Sequence, residues 1–254
     1  MEIRLDGKVA LVTGGAVGIG RGIAVALAKS GATVAINCRD SVEEAAEVLA
    51  EIEALGGKGI AVKADATNVA EIDAMVAEII ARVGDVSIVV NNVGGLVGRV
   101  KIEEMTEEFY DKVMDVNVKS AVFVSKAVIP SIRRTGWGRI INISSFAAHN
   151  GGGNGATIYA ASKAAVLGFT RGLAKELAPL GATVNAVAPG TIGNTPFHST
   201  HTTPENYRNM VAGIPVGREG YPADVAAAVV FLVSEQASFV TAECFEVNGG
   251  QWIR

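Results

Sequence analysis

The 254-residue sequence predicts an α/β fold, a single-domain, doubly wound, seven-stranded parallel sheet with helices on both faces. Apolar stretches of strand length alternate with stretches of helical periodicity along the whole chain, which is typical of parallel sheets. The first strand candidate, KVALVT, is almost continuously apolar, as expected for a strand covered on both faces. Because no low-complexity linker or repeat divides the chain, we predict one domain over residues 1–254.

The first strand–helix–strand unit of this pattern has the clearest boundaries. KVALVT is followed by glycines, then by a helical stretch that Gly31 ends, then by the strand candidate ATVAINC. Ser41 and Glu44 have the spacing of a capping box and predict the start of the next helix. The strands are predicted at 8–13, 32–38, 59–64, 86–91, 138–144, 182–188 and 243–248, and the helices near 20–30, 41–55, 68–83, 106–134, 157–179 and 222–234.

Polar residues and turn residues follow the strand ends. Gly14, Asp65, Asn92, Ser145 and Pro189 each come directly after a predicted strand. Ligands of open α/β sheets bind beyond the carboxyl ends of the strands. The sequence therefore predicts one ligand site built from these positions.

A glycine-rich turn joins the first strand to the first helix, with Gly14, Gly18 and Gly20 in a T-G-x-x-x-G-x-G pattern around Val17 and Ile19. Glycines permit a tight turn and a close approach of the backbone to a pyrophosphate at the helix N-terminus, where N–H groups and the dipole favour negative charge. The pattern lacks the Lys-Ser/Thr of a P-loop. We therefore predict a Rossmann-type dinucleotide site.

The end of the second strand bears on the choice of coenzyme. An acidic residue there would bind a ribose 2′-hydroxyl, whereas an arginine accommodates a 2′-phosphate. The strand ends in Cys38-Arg39, and no carboxylate appears until Asp40. Arg39 could bind phosphate through its fork of donors, or it could be a solvated surface residue. The prediction is that NADP(H) is favoured, with NAD(H) as the alternative.

Tyr159 and Lys163 lie four residues apart on a predicted helix, so they share a face, and Ser145 precedes Tyr159 by fourteen residues. A nearby ammonium is expected to lower the pKa of the tyrosine toward working pH, where a general acid–base catalyst is most efficient. Ser145 would hydrogen-bond the substrate oxygen. A Tyr-x-x-x-Lys pair alone is a weak signal, because a tyrosine at the start of a helix is usually a packing residue.

The ordered set of motifs resembles the short-chain dehydrogenase/reductase family, and the 3-oxoacyl-carrier-protein reductase and glucose dehydrogenase branch most of all. The set comprises the glycine turn, Asn91-Asn92-Val93-Gly94, Asn117, Ser145, Tyr159, Lys163, Pro189-Gly190 and the closing VNGG. The interval between Ser145 and Tyr159 is one residue longer than in the closest relatives, and Thr195 is one place later than the usual threonine. Both departures flank the substrate.

The resemblance implies a role for each residue of the site. Tyr159 would be the general acid–base, Lys163 would lower its pKa and hold the nicotinamide ribose, and Ser145 would steady the carbonyl. Asn117 would hold a water that links Lys163 to solvent. The implied coenzyme contacts are Gly14, Val17, Gly18, Ile19, Gly20, Cys38, Arg39, Asp65, Ala66, Asn92, Gly94, Tyr159, Lys163, Pro189, Gly190 and Ile192.

The function expected from this site is NADPH-dependent reduction of a ketone or aldehyde to an alcohol, with 3-oxoacyl thioesters among the candidate substrates. One alternative is an NAD(P)-dependent dehydrogenase of a sugar, sugar acid or other small polar alcohol. A more remote alternative is a non-catalytic dinucleotide sensor. Such proteins usually lack the tyrosine or the lysine, and this chain has both.

The segment 190–220 is polar and interrupted by prolines, and it follows a strand end, so a substrate lid is expected there. Its His198 and His201 form an H-x-x-H pair without further evident ligands, and we predict no metal site. Arg99 and His149 could contact an acidic substrate or face solvent.

The bulk properties exclude several classes of partner. The net charge is −4 with mixed signs, and no basic patch suggests nucleic acid. The chain has no apolar run of eighteen residues and its N-terminus does not resemble a signal peptide, so neither a membrane partner nor secretion is expected, and a cytoplasmic location is predicted. Cys38 and Cys244 are expected to be buried and unbridged.

The family resemblance also implies a homotetramer. The stretches 106–134 and 157–179 would pair with their copies in a dimer, and dimers would pair through 243–248. The two stretches carry many small and apolar residues, among them Ala121, Val122, Val124, Ala164, Leu167 and Phe169. One face of each stretch must cover the sheet, and the rest is expected to be an exposed patch of the kind that marks an interface, with a purely structural core as the alternative.

Overall fold

The computed structural model describes residues 3–196, 200 and 202–253, and a seven-stranded parallel sheet forms its centre. The strands lie in the order 3-2-1-4-5-6-7, and each neighbouring pair is parallel. The predicted fold class is therefore confirmed. The strands are β1 (Val9–Val12), β2 (Thr33–Cys38), β3 (Lys58–Lys63), β4 (Val86–Asn91), β5 (Gly138–Ile143), β6 (Ala182–Pro189) and β7 (Cys244–Val247).

The strand order reverses its direction between β1 and β4. The chain first builds outward from β1 to β3 and then returns to place β4 on the other side of β1. Crossovers on the two sides of this point leave opposite faces of the sheet, so a crevice opens at the carboxyl ends of the central strands. The predicted site residues lie around this crevice.

Helices cover both faces of the sheet. They are α1 (Gly18–Lys29), α2 (Val42–Ala54), α3 (Val69–Val83), α4 (Glu107–Met114), α5 (Ser120–Thr135), α6 (Ala147–Asn150), α7 (Thr157–Leu177), α8 (Pro204–Ala212) and α9 (Pro222–Leu232). Short 3₁₀ turns span Ile102–Glu104, Ala178–Leu180 and Glu235–Ala237. None of the helices within the described ranges combines the length and the hydropathy that a membrane span requires.

The single helix predicted over 106–134 is interrupted. A π-helical turn, Asp115–Lys119, separates α4 from α5. Within it, the Asn117 side chain donates 2.9 Å hydrogen bonds to the backbone oxygens of Val113 and Gly95 and accepts a 3.0 Å bond from the Gly95 N–H. The sequence prediction missed this turn, because the bonds that hold it join Asn117 to Gly95, twenty-two residues away. Turns of this kind are frequent at functional sites.

Strand residues alternate between two apolar layers. Ala10 and Val12 of β1 pack with α1, α2 and α9, whereas Val9 and Leu11 pack with α3, α5 and α7. Both layers are almost free of solvent, which explains why the strand sequences are continuously apolar rather than alternating.

The predicted assembly residues divide between core and surface. Ala121, Val124 and Leu167 are buried in the protomer, as expected for the face of each helix that covers the sheet. Val122 and Phe169 are half-buried and Ala164 is exposed. The expected interface between copies stays a prediction.

Candidate active site

A cleft of about 570 Å³ lies at the carboxyl ends of the central strands. This volume is within the range of small-molecule and coenzyme sites. Sequence-predicted residues line most of it: Gly14, Val17, Gly18, Ile19, Cys38, Arg39, Asp65, Ala66, Asn92, Gly94, Ser145, Tyr159, Lys163, Pro189, Gly190 and Ile192. Gly20 and Asn117 lie behind the wall of the cleft and support it.

The glycine turn at one end of the cleft is fixed by buried side chains. Thr13 Oγ1 accepts hydrogen bonds from the N–H groups of Asn92 and Val93, at 3.0 and 3.1 Å. The Asn92 side chain donates to the carbonyls of Thr13 and Gly14, at 2.9 and 3.1 Å. Gly14 has φ +60°, which favours glycine, so these bonds hold a conformation that other residues adopt at a cost.

The first turn of α1 fits an anionic ligand. Val17 occupies the N-cap and its side chain makes no capping hydrogen bond, so no residue at the cap competes for the first N–H groups of the helix. Gly20 has a different part in the turn, since a Cβ there would lie 2.2 Å from the Gly14 carbonyl oxygen. Gly20 therefore allows α1 to pack under the turn.

The carboxyl end of β2 carries the residues expected to choose the coenzyme. Arg39 Nε lies 2.7 Å from Asp40 Oδ2, and the Arg39 side chain is 63% exposed. Hydrogen bonding and charge from Asp40 raise the pKa of Arg39. Ser41 is the N-cap of α2, but its hydroxyl makes no capping bond, so the predicted capping box is wrong. Asp40 and Ser41 both line the cleft.

Asp65, after β3, holds its own loop. Its Oδ1 accepts 2.8 and 2.7 Å hydrogen bonds from the backbone N–H and hydroxyl of Thr67. Burial raises the pKa of this carboxyl, but the two bonds from Thr67 and the charges of Arg39 and Lys119 outweigh it, and the net direction is down. The carboxylate is therefore ionised and oriented in the cleft.

At the other end of the cleft, Ser145 follows β5, and Tyr159 and Lys163 occupy the first turns of α7. The Tyr159 side chain is hydrogen-bonded with Ser145. Lys163 is 4% exposed and its ammonium donates a 2.8 Å bond to the Ile143 carbonyl. The Ser144 hydroxyl donates a 2.9 Å bond to the Lys163 carbonyl. The structure thus brings the three predicted residues together.

The expected direction of the Tyr159 pKa is wrong. Burial raises the pKa of this phenol, and the Ser145 hydrogen bond lowers it only in part. The Lys163 ammonium lies 6.0 Å from the centre of the Tyr159 ring. Burial also lowers the pKa of Lys163 to about 8, so the lysine keeps most of its charge at neutral pH and loses it above pH 8. Sequence spacing places the two side chains on one face but does not show how deeply that face is buried.

Gly94 lies between the side chains of Asn117 and Lys163. A Cβ at this glycine would lie 2.7 Å from both Asn117 Oδ1 and Lys163 Nζ. Asn117 in turn binds both backbone groups of Gly95. The π-helical turn therefore fixes the loop after β4 directly beside Lys163.

A residue that sequence reasoning missed holds the loop after β6. Gln251 Oε1 accepts a 2.8 Å bond from the Thr191 N–H, and its Nε2 donates a 3.0 Å bond to the Thr191 hydroxyl. The Gly190 N–H donates a 2.9 Å bond to the Val247 carbonyl. No local motif at Gln251 signals this contact, which joins residues sixty positions apart.

Apolar and small residues also line the cleft: Leu96, Phe146, Gly152, Ala156 and Met210. The segment 190–220 also contributes Thr195, Pro196, Thr200 and Thr202 to the cleft, and its role as a lid stays a prediction.

The basic residues singled out in the sequence are placed differently. Arg99 lines the cleft and donates a 3.0 Å bond to the Asn154 carbonyl. His149 lies instead against Glu246 and Trp252. His198 and His201 lie outside the described residues.

Comparison with known proteins places the chain among related sequences over nearly its full length. A family model described as enoyl-(acyl carrier protein) reductase matches residues 14–251. Nodulation protein G of Azospirillum brasilense is 43% identical over 96% of this chain and 97% of that protein. The 3-oxoacyl-[acyl-carrier-protein] reductase FabG of Staphylococcus aureus is 38% identical over 97% of this chain and 98% of its own.

Solved structures agree with the sequence comparison. A short-chain dehydrogenase/reductase of Serratia marcescens, solved as a double mutant, superposes with a TM-score of 0.91 at 34% identity, covering 97% of this chain and 98% of the other. A blue fluorescent protein from a metagenomic library, solved in complex with NADPH, superposes with a TM-score of 0.89 at 35% identity, covering 98% and 100%.

Proposed function

Because the chain belongs to the short-chain dehydrogenase/reductase family and is therefore an oxidoreductase, we propose that it reduces a ketone or aldehyde to an alcohol with NADPH. The observation that carries this proposal is the cleft itself. It places the Ser145–Tyr159–Lys163 cluster and the glycine turn at α1 in one continuous space. That arrangement allows a dinucleotide bound at the turn to extend to the catalytic cluster.

The proposed chemistry divides between the coenzyme and the protein. The nicotinamide coenzyme, when bound, supplies the hydride. Tyr159 donates its phenolic proton to the carbonyl oxygen of the substrate, and the Ser145 hydroxyl hydrogen-bonds the same oxygen. Lys163, held by the Ile143 carbonyl, provides the positive charge that stabilises the phenolate left behind. The water expected at Asn117 stays a prediction.

The preference for NADPH rests on Arg39 and Ser41. Both line the cleft at the end of β2, and Arg39 is exposed and always charged. Asp40 opposes this preference, because its carboxylate pairs with Arg39 and would repel a 2′-phosphate. We propose that Arg39 exchanges Asp40 for the phosphate, and that the preference is moderate. NAD(H) is the alternative coenzyme.

The apolar residues that line the cleft favour a carbonyl compound with a hydrocarbon portion, and 3-oxoacyl thioesters meet this description. The relatives named as acyl-carrier-protein reductases support the same class. A sugar or sugar acid would find no polar partner in Leu96, Phe146 and Met210, and its polar contacts would come from the threonines of the 190–220 segment and from Arg99.

A substrate panel tests the proposal. We expect oxidation of NADPH with at least one of an acyl thioester, a simple diketone and a 2-keto sugar acid, and a slower reaction with NADH. The Tyr159→Phe variant serves as the control for background oxidation. Tight binding of NADPH without turnover of any carbonyl compound would instead favour a dinucleotide sensor.

We further propose that the chain forms a homotetramer. Phe239 is fully exposed, and Val216 and Phe231 are 65% and 37% exposed. All three side chains belong to the C-terminal part of the sequence, as does the segment 243–248, which the family resemblance assigns to the contact between dimers. Light scattering at micromolar concentration should give a tetramer, and Phe239→Asp should reduce it to dimers. A monomeric wild-type protein would refute the assembly.

A further inference from the structure

We propose that His149, Cys244 and Glu246 form a binding site for a zinc ion, away from the catalytic cleft. The imidazole, thiol and carboxylate offer one ligand atom each, and these three atoms lie within 4.8 Å of one another. Nitrogen, sulfur and oxygen from such side chains are the ligands that zinc takes in proteins. None of the three residues lines the catalytic cleft.

The spacing of the ligand atoms suits a tetrahedral ion. Glu246 Oε1 lies 2.9 Å from His149 Nε2 and 3.5 Å from Cys244 Sγ. Bond lengths of about 2.0–2.3 Å to zinc place neighbouring ligands roughly 3.3–3.6 Å apart. The three atoms can therefore reach one ion with small side-chain movements.

The surroundings of His149 support a metal ligand. Its Nε2 is buried and lies 2.9 Å from Glu246 Oε1, yet it has no hydrogen-bond partner among the described residues. A buried imidazole nitrogen without a hydrogen bond is costly. A metal ion bound to this nitrogen would remove that cost.

The backbone supplies two of the ligands in a fixed geometry. Cys244 and Glu246 are alternate residues of β7, so their side chains point to the same face of the strand. His149 comes from α6, the short helix that follows Ser145. An ion here would connect the strand at the sheet edge to the loop that carries the catalytic serine.

Neighbouring side chains hold the ligands in place. Asn248 Nδ2 donates a 3.3 Å bond to Glu246 Oε2, which leaves Oε1 directed at the cluster. The Trp252 ring stacks on the His149 ring, with centroids 6.0 Å apart and planes 8° apart. Groups behind metal ligands orient them in this way and strengthen metal binding. Within one protomer, His149 and Glu246 remain 15% and 19% exposed.

Equilibrium dialysis of reduced, tag-free, full-length protein against Zn²⁺ with a competing chelator tests the site. We expect about one tightly held zinc per chain. Cys244→Ser, His149→Gln and Glu246→Gln should each weaken binding at least ~10-fold. The matched controls, Cys38→Ser and the exposed Glu243→Gln, should bind as wild type does. His198→Gln/His201→Gln separates this site from the H-x-x-H pair and should also keep the zinc.

A second measurement does not depend on variants that could fail to fold. Wild-type protein loaded with Co²⁺ should show a thiolate-to-cobalt charge-transfer band, which Cys38→Ser retains. Wild-type protein that takes up no zinc, or no such band with cobalt, would overturn the proposal. Zinc that is lost with the His198/His201 change but retained in Cys244→Ser would place the ion elsewhere.

Discussion

The two ends of the cleft are built in opposite ways. The glycine turn is made of backbone, fixed by the neutral side chains of Thr13 and Asn92, and it exposes the N-terminus of α1. The proposed catalytic end, around Tyr159, instead depends on ionisable side chains, and its Lys163 is almost fully buried. A site made of backbone adds little electrostatic cost to folding, whereas a buried ammonium is costly even with a hydrogen bond. Stability and chemistry should therefore respond differently to substitution at the two ends.

Tyr159→Phe should give the largest effect and should be confined to the catalytic end. The change removes the transferable proton and keeps the ring, so turnover should fall at least ~10²-fold. The affinity for NADPH, measured by fluorescence titration, should change little because the glycine turn is untouched. A variant with near-normal turnover would show that Tyr159 is not the acid.

Lys163→Met should abolish most turnover and yet stabilise the protein. The fall of the Lys163 pKa from 10.5 to about 8 corresponds to a loss of roughly 3 kcal/mol of folding free energy through desolvation of the ammonium. This value is an upper estimate of the stability that the variant would gain. Between pH 8 and 10.5 the unfolded chain binds the proton more tightly, so wild-type stability should rise with pH across this window. Denaturant unfolding without coenzyme should show the variant's advantage below pH 8 and its loss toward pH 10.5. A destabilised variant at pH 7 would show that the bond to Ile143 outweighs the cost of burial.

Arg39→Ala should affect the nucleotide end alone. We expect kcat/KM with NADPH to lose roughly 1.5–3 kcal/mol, toward the lower value because Arg39 is exposed and paired with Asp40. The value with NADH should stay the same. Asp40→Asn should improve the use of NADPH, and Cys38→Asp should shift preference toward NADH. An equal loss with both coenzymes in Arg39→Ala would assign a structural role to the arginine.

Gly20→Ala should show that added side-chain volume at the glycine turn destabilises the protein. Its new methyl group meets the Gly14 carbonyl at 2.2 Å, and overpacking of this kind costs about 1–3 kcal/mol or more. Gly172→Ala is the matched helical control, since nothing lies within 4 Å of its added methyl. That change should stabilise the chain by about 0.5–1 kcal/mol. Thermal unfolding of the two variants compares them directly, and equal effects would contradict the close packing at Gly20.

The sequence by itself determined the sheet and the residues around the cleft. Apolar runs without alternation indicated strands buried on both faces. The glycine turn and Ser145 each lie just after a strand, and Tyr159 and Lys163 lie in the first turns of one helix. Apolar periodicity and the residue types of turns predict such features, because the contacts involved join residues that are close in the sequence.

Only the tertiary structure decided how deeply these groups are buried and which distant residues hold them. The π-helical turn at Asn117 depends on hydrogen bonds to Gly95, twenty-two residues away. Gln251 binds Thr191 across sixty residues, and His149 meets Glu246 only because α6 packs near β7. The pKa of Tyr159 rises where residue spacing alone predicted a fall, because desolvation depends on everything packed around the phenol and not on its helical neighbour.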